Sequence, residues 1–288
     1  MARPHRLRRR QRLPVAWLWR RDALHPAIPI DGGAMQLPPS LLEVAPPGEA
    51  GYADINLVRL RQRGMVTHEG GRTAVAEDFR IVKRHLLNDA RATGNHAIHH
   101  GNLIVVTSAL PGEGKTYCAV NLAMSISMER DARALLVDAD VARPSVLKVL
   151  GLQAERGLMN VLLDGSVELS DVIMRTNVPS LTLLPAGPAN RNATELLASR
   201  NMSRLLEELA SRYPDRVIIF DSPPLLLTTE ASVLVSQMGQ VVMVVEAERT
   251  SQAAVQAALQ RIEHCHHVNL LYNKSRSFPG TEYYGYYE

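Results

Sequence analysis

A run of small residues that ends in Lys and Thr follows the apolar segment LIVVTS. The run is ALPGEGKT, residues 109–116. Its glycines let successive backbone N–H groups point at one anion, and a following helix adds its positive N-terminal end. The Lys side chain would neutralise β- and γ-phosphates, and the Thr hydroxyl would bind Mg²⁺. Steric need alone explains small residues at a tight turn, but not this Lys-Thr pair. We therefore predict an ATP phosphate loop with contacts from Pro111, Gly112, Glu113, Gly114, Lys115, Thr116 and Tyr117.

Three acidic residues follow two of the later apolar runs. Asp138 and Asp140 close LLVDAD, and Asp221 closes VIIFD. Ligands of open α/β sheets bind at the carboxyl ends of the strands, and Mg²⁺ is held there by carboxylates and phosphates. One such Asp could equally cap the following loop, but three of them behind a phosphate loop favour metal binding.

The pattern beyond residue 102 predicts the fold. Short apolar runs alternate with amphipathic segments, as in a parallel sheet that helices cover on both faces. Helices are expected over Lys115–Glu129, Thr194–Arg212, Glu230–Gln237 and Ser251–His264. The strand segments are LIVVTS, ALLVDAD, LTLLPA, VIIFDS, VVMVVEA and VNLLYN. The prediction is a doubly wound, mostly parallel α/β sheet with the P-loop NTPase fold, an N-terminal extension and a flexible, tyrosine-rich C-terminal tail.

The N-terminal 72 residues are predicted to be a leader and a linker. The first 21 residues hold eight Arg and no acidic residue, so the remaining chain carries 3 − 8 = −5 charges. Clustered Arg can attract anionic lipid or nucleic acid. The alternatives are a disordered leader or a start codon placed too early, with Met35 a later start. Residues 22 to about 72 are rich in Pro, Gly and small polar residues, which is typical of a linker.

The folded domain is expected over residues 73–274, beginning with a helix at about residues 75–91. In that helix Val75, Phe79, Val82, Leu86 and Leu87 recur at helical spacing. The remainder, residues 275–288, is assigned to the tail. No run of about 20 apolar residues occurs, so no membrane-spanning helix is expected.

Two further sets of residues, three histidines and two cysteines, are of types that bind metals or form disulfides. His96, His99 and His100 suggest a metal ion, but the neighbouring sequence lacks the spaced carboxylates or thiolates of a complete site. A solvated loop is therefore expected there. Cys118 and Cys265 are too few for a disulfide framework, which favours a reducing compartment such as the cytoplasm.

Four tyrosines crowd the last six residues of the chain: Tyr283, Tyr284, Tyr286 and Tyr287. They lie beyond the last predicted strand, and a terminus with no apolar periodicity is expected to move freely. Such a segment suits a substrate that must reach an active site. The alternative is an aromatic docking tail for a partner. Tyr272, inside a predicted strand, is interpreted as structural.

Together these motifs resemble the bacterial tyrosine autokinases (BY-kinases) of exopolysaccharide and capsule export, over roughly residues 77–288. The resemblance rests on ALPGEGKT, on LLVDADVARPS (Walker A′), on VIIFDSPP (Walker B) and on the end TEYYGYYE. Within the family the chain looks most like the cytoplasmic kinases of exosortase-associated exopolysaccharide loci, since EDFRIVKR, LPAG and ATELLAS also read like that subgroup.

The resemblance implies ATP-dependent phosphorylation of the C-terminal tyrosines in trans, at the active site of the adjacent subunit. Lys115 and Thr116 would hold phosphate and Mg²⁺, and Asp140 and Asp221 would hold or orient the metal. Asp138 would help to deprotonate the attacking tyrosine, a phenol with a pKa near 10. Asn273, which ends the last strand, resembles the adenine-contacting Asn of the family, although a turn residue would look the same.

The sequence departs from the family pattern at two places. The Walker A′ motif usually reads Asp-x-Asp-x-Arg, whereas here position 142 is Ala and Arg143 follows. The oligomerisation motif Glu-x-x-Arg-x-x-Arg is present as Glu77, Arg80 and Lys83, so its last guanidinium fork is lost. We expect these three residues to project from one helix face toward a neighbour, in a homo-oligomer such as a ring. Intrahelical ion pairs are the alternative.

Other partners are implied by the resemblance alone. They are a membrane chain-length-determinant protein that activates the kinase and recruits it from the cytoplasm to the inner face of the plasma membrane, and a cognate tyrosine phosphatase. No nucleic acid is expected.

Two rival functions stay open, a partition- or division-site-type ATPase switch and a non-catalytic nucleotide-binding regulator of polysaccharide assembly. The switch proteins carry an extra Lys early in the loop, where this chain has Leu110.

Overall fold

A computed structural model of the chain describes residues 16–20, 51–212 and 215–275. Its centre is a single nine-stranded sheet. The strands are β1 Ala16–Arg20, β2 Tyr52–Ala53, β3 Leu103–Ser108, β4 Arg133–Asp138, β5 Met174–Thr176, β6 Leu181–Leu184, β7 Arg216–Asp221, β8 Gln240–Glu246 and β9 Val268–Asn273. They lie in the order β1-β9-β8-β3-β7-β4-β6-β5-β2. Only the β1–β9 and β5–β6 pairs are antiparallel among these strands. The predicted fold and its six strands are confirmed.

Helices cover both faces of this sheet. They are α1 Leu57–Gln62, α2 Ala74–Ala90, α3 Lys115–Ile126, α4 Val146–Leu150, α5 Leu158–Leu163, α6 Ala193–Leu197, α7 Arg200–Arg212, α8 Thr229–Val235 and α9 Gln252–Arg261. The prediction of a single helix over Thr194–Arg212 was wrong, because this segment forms two helices, α6 and α7. Ser199 lies at the break, and its Oγ accepts a hydrogen bond from the Met202 N–H at 3.2 Å. That bond is the capping interaction with which a new helix begins.

The sheet divides the core into two layers, and the side chains of β3 alternate between them. Ile104 and Val106 face the layer that contains α1, α2, α3 and α4, whereas Leu103 and Val105 face the layer beneath α5 to α9. All six residues of β3 are buried, as the continuous apolar run predicted. This packing fixes the carboxyl end of β3 between the ends of β7 and β8, and the phosphate loop starts there.

The expected boundary at residue 72 was wrong, because residues 51–67 belong to the folded domain. Strand β2 pairs with β5, and Ile55, Leu60 and Val66 are almost fully buried in the core. The Val66 N–H also donates to Asn121 Oδ1 of α3 at 2.6 Å. A few apolar residues in a polar stretch carry no clear period, so only the tertiary contacts reveal that this segment folds. Within the leader, β1 pairs with β9.

None of the helices in the described part of the chain has the length and apolarity that crossing a bilayer requires.

Candidate functional site

The phosphate loop joins β3 to α3, which begins at Lys115. Gly112 and Gly114 have φ values of 85° and 100°, a left-handed conformation that side chains rarely adopt. A Cβ atom on Gly114 would lie 2.0 Å from Asn273 Nδ2, so the close approach of β9 to the loop also requires glycine. The loop thus has the backbone shape that directs N–H groups at a phosphate.

The Lys and Thr of the loop contact the acidic residues that the sequence singled out. The Lys115 ammonium donates to Asp140 Oδ2 at 2.9 Å. The Thr116 hydroxyl donates to Asp221 Oδ2 at 2.6 Å and lies 2.8 Å from Ser145 Oγ. Strands β4 and β7 are neighbours, so the structure brings together groups that are more than a hundred residues apart in sequence.

Asp138 and Asp221 are opposite each other across β4 and β7, and both are buried. Asp138 Oδ2 accepts the N–H groups of Ser145 and Val146, each at 2.9 Å. The second oxygen of each carboxylate, Oδ1, is buried without a hydrogen-bond partner in the structure. Orphaned buried oxygens are costly unless a ligand engages them. The Asp221 carboxylate and the Thr116 hydroxyl, side by side at the phosphate loop, are oxygen donors of the kind that fits Mg²⁺, and the free Asp138 oxygen is available to accept a proton.

Burial dominates the acid–base behaviour of both carboxyl groups. It raises the pKa of Asp138 to about 6; the nearby charge of Asp140 adds to this, while the N–H groups of Val146 and Ser145 oppose it. Burial likewise raises the pKa of Asp221 to about 7, opposed by the Lys115 charge and the Thr116 hydroxyl. Both groups can therefore exchange a proton near neutral pH, and a bound cation would shift them toward ionisation.

Asn273 lies behind the loop. Its Nδ2 donates to the Glu113 carbonyl at 2.7 Å, and its Oδ1 accepts the Lys274 N–H at 2.9 Å. The side chain is buried, so it supports the loop from the end of β9. This contact agrees with a place near the nucleotide site, while the adenine contact stays a prediction.

Three residues that support the loop, Glu246, Thr250 and Lys274, were not found from the sequence. The buried Glu113 carboxylate accepts the Leu110 N–H at 2.5 Å and the Thr250 hydroxyl. Lys274 Nζ donates to the Gly112 carbonyl at 2.7 Å and to Glu246 Oε2 at 3.0 Å. These contacts tie the loop to the ends of β8 and β9. In the sequence, these residues are marked only by lying at or after the ends of predicted strands. Many other residues share that position, so the sequence alone does not identify them.

The Walker A′ motif departs from the family pattern at Ala142 and Arg143, and both residues are exposed. The backbone N–H of Arg143 donates to the carbonyl of Asp140 at 3.0 Å and lies 3.2 Å from its Oδ1. The backbone of this turn therefore helps to orient Asp140 whichever residue occupies position 142.

The oligomerisation residues on α2 do not share one outward face. Glu77 Oε1 and Arg80 Nη1 form an ion pair at 2.5 Å, and both side chains are 41% exposed. Lys83 is buried instead, donating to the Ser125 carbonyl at 2.7 Å and pairing with Glu129 at 2.6 Å. The expectation that Lys83 projects toward a neighbour was therefore wrong. A Lys side chain long enough to reach the end of α3 satisfies its charge within the subunit.

The four predicted acceptors, Tyr283, Tyr284, Tyr286 and Tyr287, lie outside the described residues. The described part ends at Ser275, two residues after Asn273, and so next to the phosphate loop. Tyr272 lies in β9, as predicted.

This chain is similar in sequence and in structure to known proteins. Residues 101–275 match the family model "AAA domain" (AAA_31). The tyrosine-protein kinase YwqD of Bacillus subtilis is 32% identical over 186 residues, which are 64% of this chain and 76% of YwqD. The putative tyrosine-protein kinase EpsB of Ralstonia nicotianae is 28% identical over 77% of this chain, but the match spans only 29% of EpsB. The solved kinase domain of Escherichia coli tyrosine kinase ETK superposes with a TM-score of 0.63 at 27% identity, covering 75% of this chain and 82% of that one.

Proposed function

This chain belongs to the bacterial tyrosine-protein kinases, and we propose that it transfers the γ-phosphate of ATP to the tyrosines of its own C-terminal tail. One observation carries the proposal most. A phosphate loop, two buried carboxylates with orphaned oxygens and the strand end that precedes the tail segment all meet at the carboxyl ends of β3, β4, β7 and β9.

In the proposed reaction a tail phenol oxygen attacks the γ-phosphorus, and the bond to the β–γ bridging oxygen breaks, releasing ADP. Lys115 would neutralise the β- and γ-phosphates and the backbone of the glycine loop would hold them. The phenol proton would pass to Asp138 through its orphaned Oδ1, because a carboxylate with a pKa of about 6 can accept a proton near neutral pH.

Mg²⁺ would be held by Thr116, Asp221 and Asp140, where it would supply positive charge that neutralises the phosphates. Holding it requires Lys115 to exchange its Asp140 contact for the phosphates. The Lys115–Asp140 and Thr116–Asp221 contacts keep these side chains aimed at one point, which lowers the cost of forming the loaded site.

We also propose that the transfer takes place between subunits of a homo-oligomer. The Glu77–Arg80 pair on α2 is half exposed and can re-pair with a neighbouring copy, whereas Lys83 acts within its own subunit. Each phosphorylated tyrosine would add about −1.5 to −2 charges and so loosen the assembly. The family resemblance supports the rest of the proposed setting. It comprises regulation of exopolysaccharide polymerisation and export of the exosortase-associated type, a membrane chain-length-determinant activator, recruitment to the inner membrane face, and a cognate phosphatase.

The test is a map of phosphotyrosine on the purified chain after incubation in Mg-ATP, with and without the cytoplasmic segment of the activator. We expect label within residues 283–287, and loss of most of it when Tyr283, Tyr284, Tyr286 and Tyr287 are all replaced by Phe. Replacing Tyr272, which lies in β9, by Phe is the matched control and should leave the label in place. ATP hydrolysis with no phosphotyrosine under either condition would refute the kinase and favour an ATPase switch.

A further inference from the structure

A second cluster of chemically active side chains lies at the opposite end of the sheet from the phosphate loop. His99 and His100 precede β3, whose other end carries the loop, and Glu207 comes from α7. One ring nitrogen of His100 lies 2.9 Å from Glu207 Oε2. Taking one ligand atom from each residue, the three atoms all lie within 4.8 Å of one another. The carboxylate that the local sequence lacks is thus supplied from 107 positions away, while His96 and His99 are exposed, as expected for a solvated loop.

The backbone explains why two consecutive histidines face the same way. In an extended segment neighbouring side chains point to opposite sides, but His100 has a left-handed φ of 53°. This turn stacks the two imidazole rings with their centroids 3.8 Å apart. The corner is firmly held, since the His100 carbonyl accepts the Leu103 N–H at 2.8 Å. A Cβ on Gly239 would lie only 2.1 Å from that carbonyl, so glycine there admits the close packing.

We propose that His99, His100 and Glu207 form a binding site for one divalent transition-metal ion, with Zn²⁺ the ion that best suits the ligands. Imidazole nitrogens and a carboxylate are ordinary Zn²⁺ ligands at about 2.0–2.2 Å, and a tetrahedral ion accepts three of them plus a water molecule. The ligand atoms already lie within 4.8 Å of one another, and the two stacked rings would turn apart so that their in-plane lone pairs converge on the ion. Mg²⁺ prefers oxygen ligands, so the site is selective against the ion of the phosphate loop.

The position of the site determines what the ion would do. His100 is fixed to the start of β3, and Glu207 lies on α7, so the ion would cross-link a helix to an interior strand of the sheet. The Glu207 side chain is 65% exposed, which leaves an entry path from solvent. Binding would therefore stabilise the fold without contacting the catalytic loop, whose residues lie beyond the far end of β3.

The experiment is a titration of the untagged chain with Zn²⁺ in the presence of excess Mg²⁺, followed by calorimetry and thermal unfolding. We expect one equivalent to bind and the Tm to rise by about 5 °C or more at a hundredfold excess over Kd. Co²⁺ should occupy the same site and give the visible absorption of a low-symmetry Co²⁺ centre. His99→Ala and Glu207→Gln, both at exposed positions, should each weaken binding by at least about tenfold.

Two matched variants serve as controls because they change the same residue types nearby. His96→Ala removes an exposed histidine of the same segment, and Glu208→Gln changes the next carboxylate of α7, which pairs with Arg212. Both should bind Zn²⁺ as the parent chain does. The proposal is overturned if the parent chain takes up no Zn²⁺, or if His99→Ala and Glu207→Gln bind it as well as the two controls. Neither outcome bears on the kinase reaction, since the catalytic groups are untouched.

Discussion

Lys115→Met is expected to reduce tyrosine phosphorylation by about 10³-fold, because it removes the one charge that the phosphate loop directs at the transferred group. The structure places the Lys115 ammonium at the first turn of α3, 2.9 Å from Asp140. Met retains the length and the apolar part of the side chain, so the change isolates the charge. The measurement is the initial rate of phosphotyrosine formation at saturating Mg-ATP.

A matched control for this variant is Lys148→Met, which removes an exposed lysine from α4 without touching the loop. It should phosphorylate itself at the parental rate. A Lys115→Met chain that folds, as circular dichroism would report, and retains more than about a tenth of the parental rate would contradict the role given to Lys115.

Asp221→Asn is expected to abolish Mg²⁺-dependent activity and yet to stabilise the nucleotide-free chain at pH 8. Burial raises the pKa of Asp221 to about 7 from an ordinary value of 3.8. Between pH 3.8 and about pH 7 the folded state binds more protons than the unfolded state. The free energy of unfolding therefore falls as the pH rises through this range. Above pH 7 the ionised carboxylate costs the folded state on the order of a few kcal/mol, and Asn removes that cost.

Thermal unfolding in EDTA, without nucleotide, measures this second effect. The Tm of Asp221→Asn should exceed that of the parent chain by about 5 °C or more at pH 8, and the gap should close as the pH falls toward 4. Adding Mg-ADP should raise the parental Tm but have little effect on the variant, since the metal loses a ligand. A variant with a lower Tm than the parent at pH 8 would contradict this account. It would show that interactions with neighbouring groups outweigh the cost of burying the ionised Asp221 carboxylate.

The sequence predicted the parts of the site that depend on local order. A strand, a glycine loop and a helix are consecutive, so Gly112 to Thr116 could be placed without tertiary information. Asp138 and Asp221 could be placed as well, because carboxyl ends of parallel strands share one edge, and the structure aligns them across β4 and β7.

Other features depend on contacts between distant segments and had no local pattern. Ser145 meets Thr116, and Thr250 meets Glu113, only because separate loops converge at the same sheet edge. Lys83 has the spacing of an exposed motif residue, yet α3 packs close enough to bury its ammonium. A helical periodicity shows which face is apolar, but not whether a long charged side chain turns inward at its border.

The central claim, that one subunit phosphorylates the tail of another, is tested most directly by mixing two complementary chains in Mg-ATP. One chain has an intact phosphate loop and carries Phe at positions 283, 284, 286 and 287, and the other carries Lys115→Met with its four tail tyrosines intact. Neither chain alone should be labelled in the tail. We predict that phosphotyrosine appears on the tail of the Lys115→Met chain when the two are mixed. No label on that chain, under conditions where the parent chain labels itself, would contradict transfer between subunits.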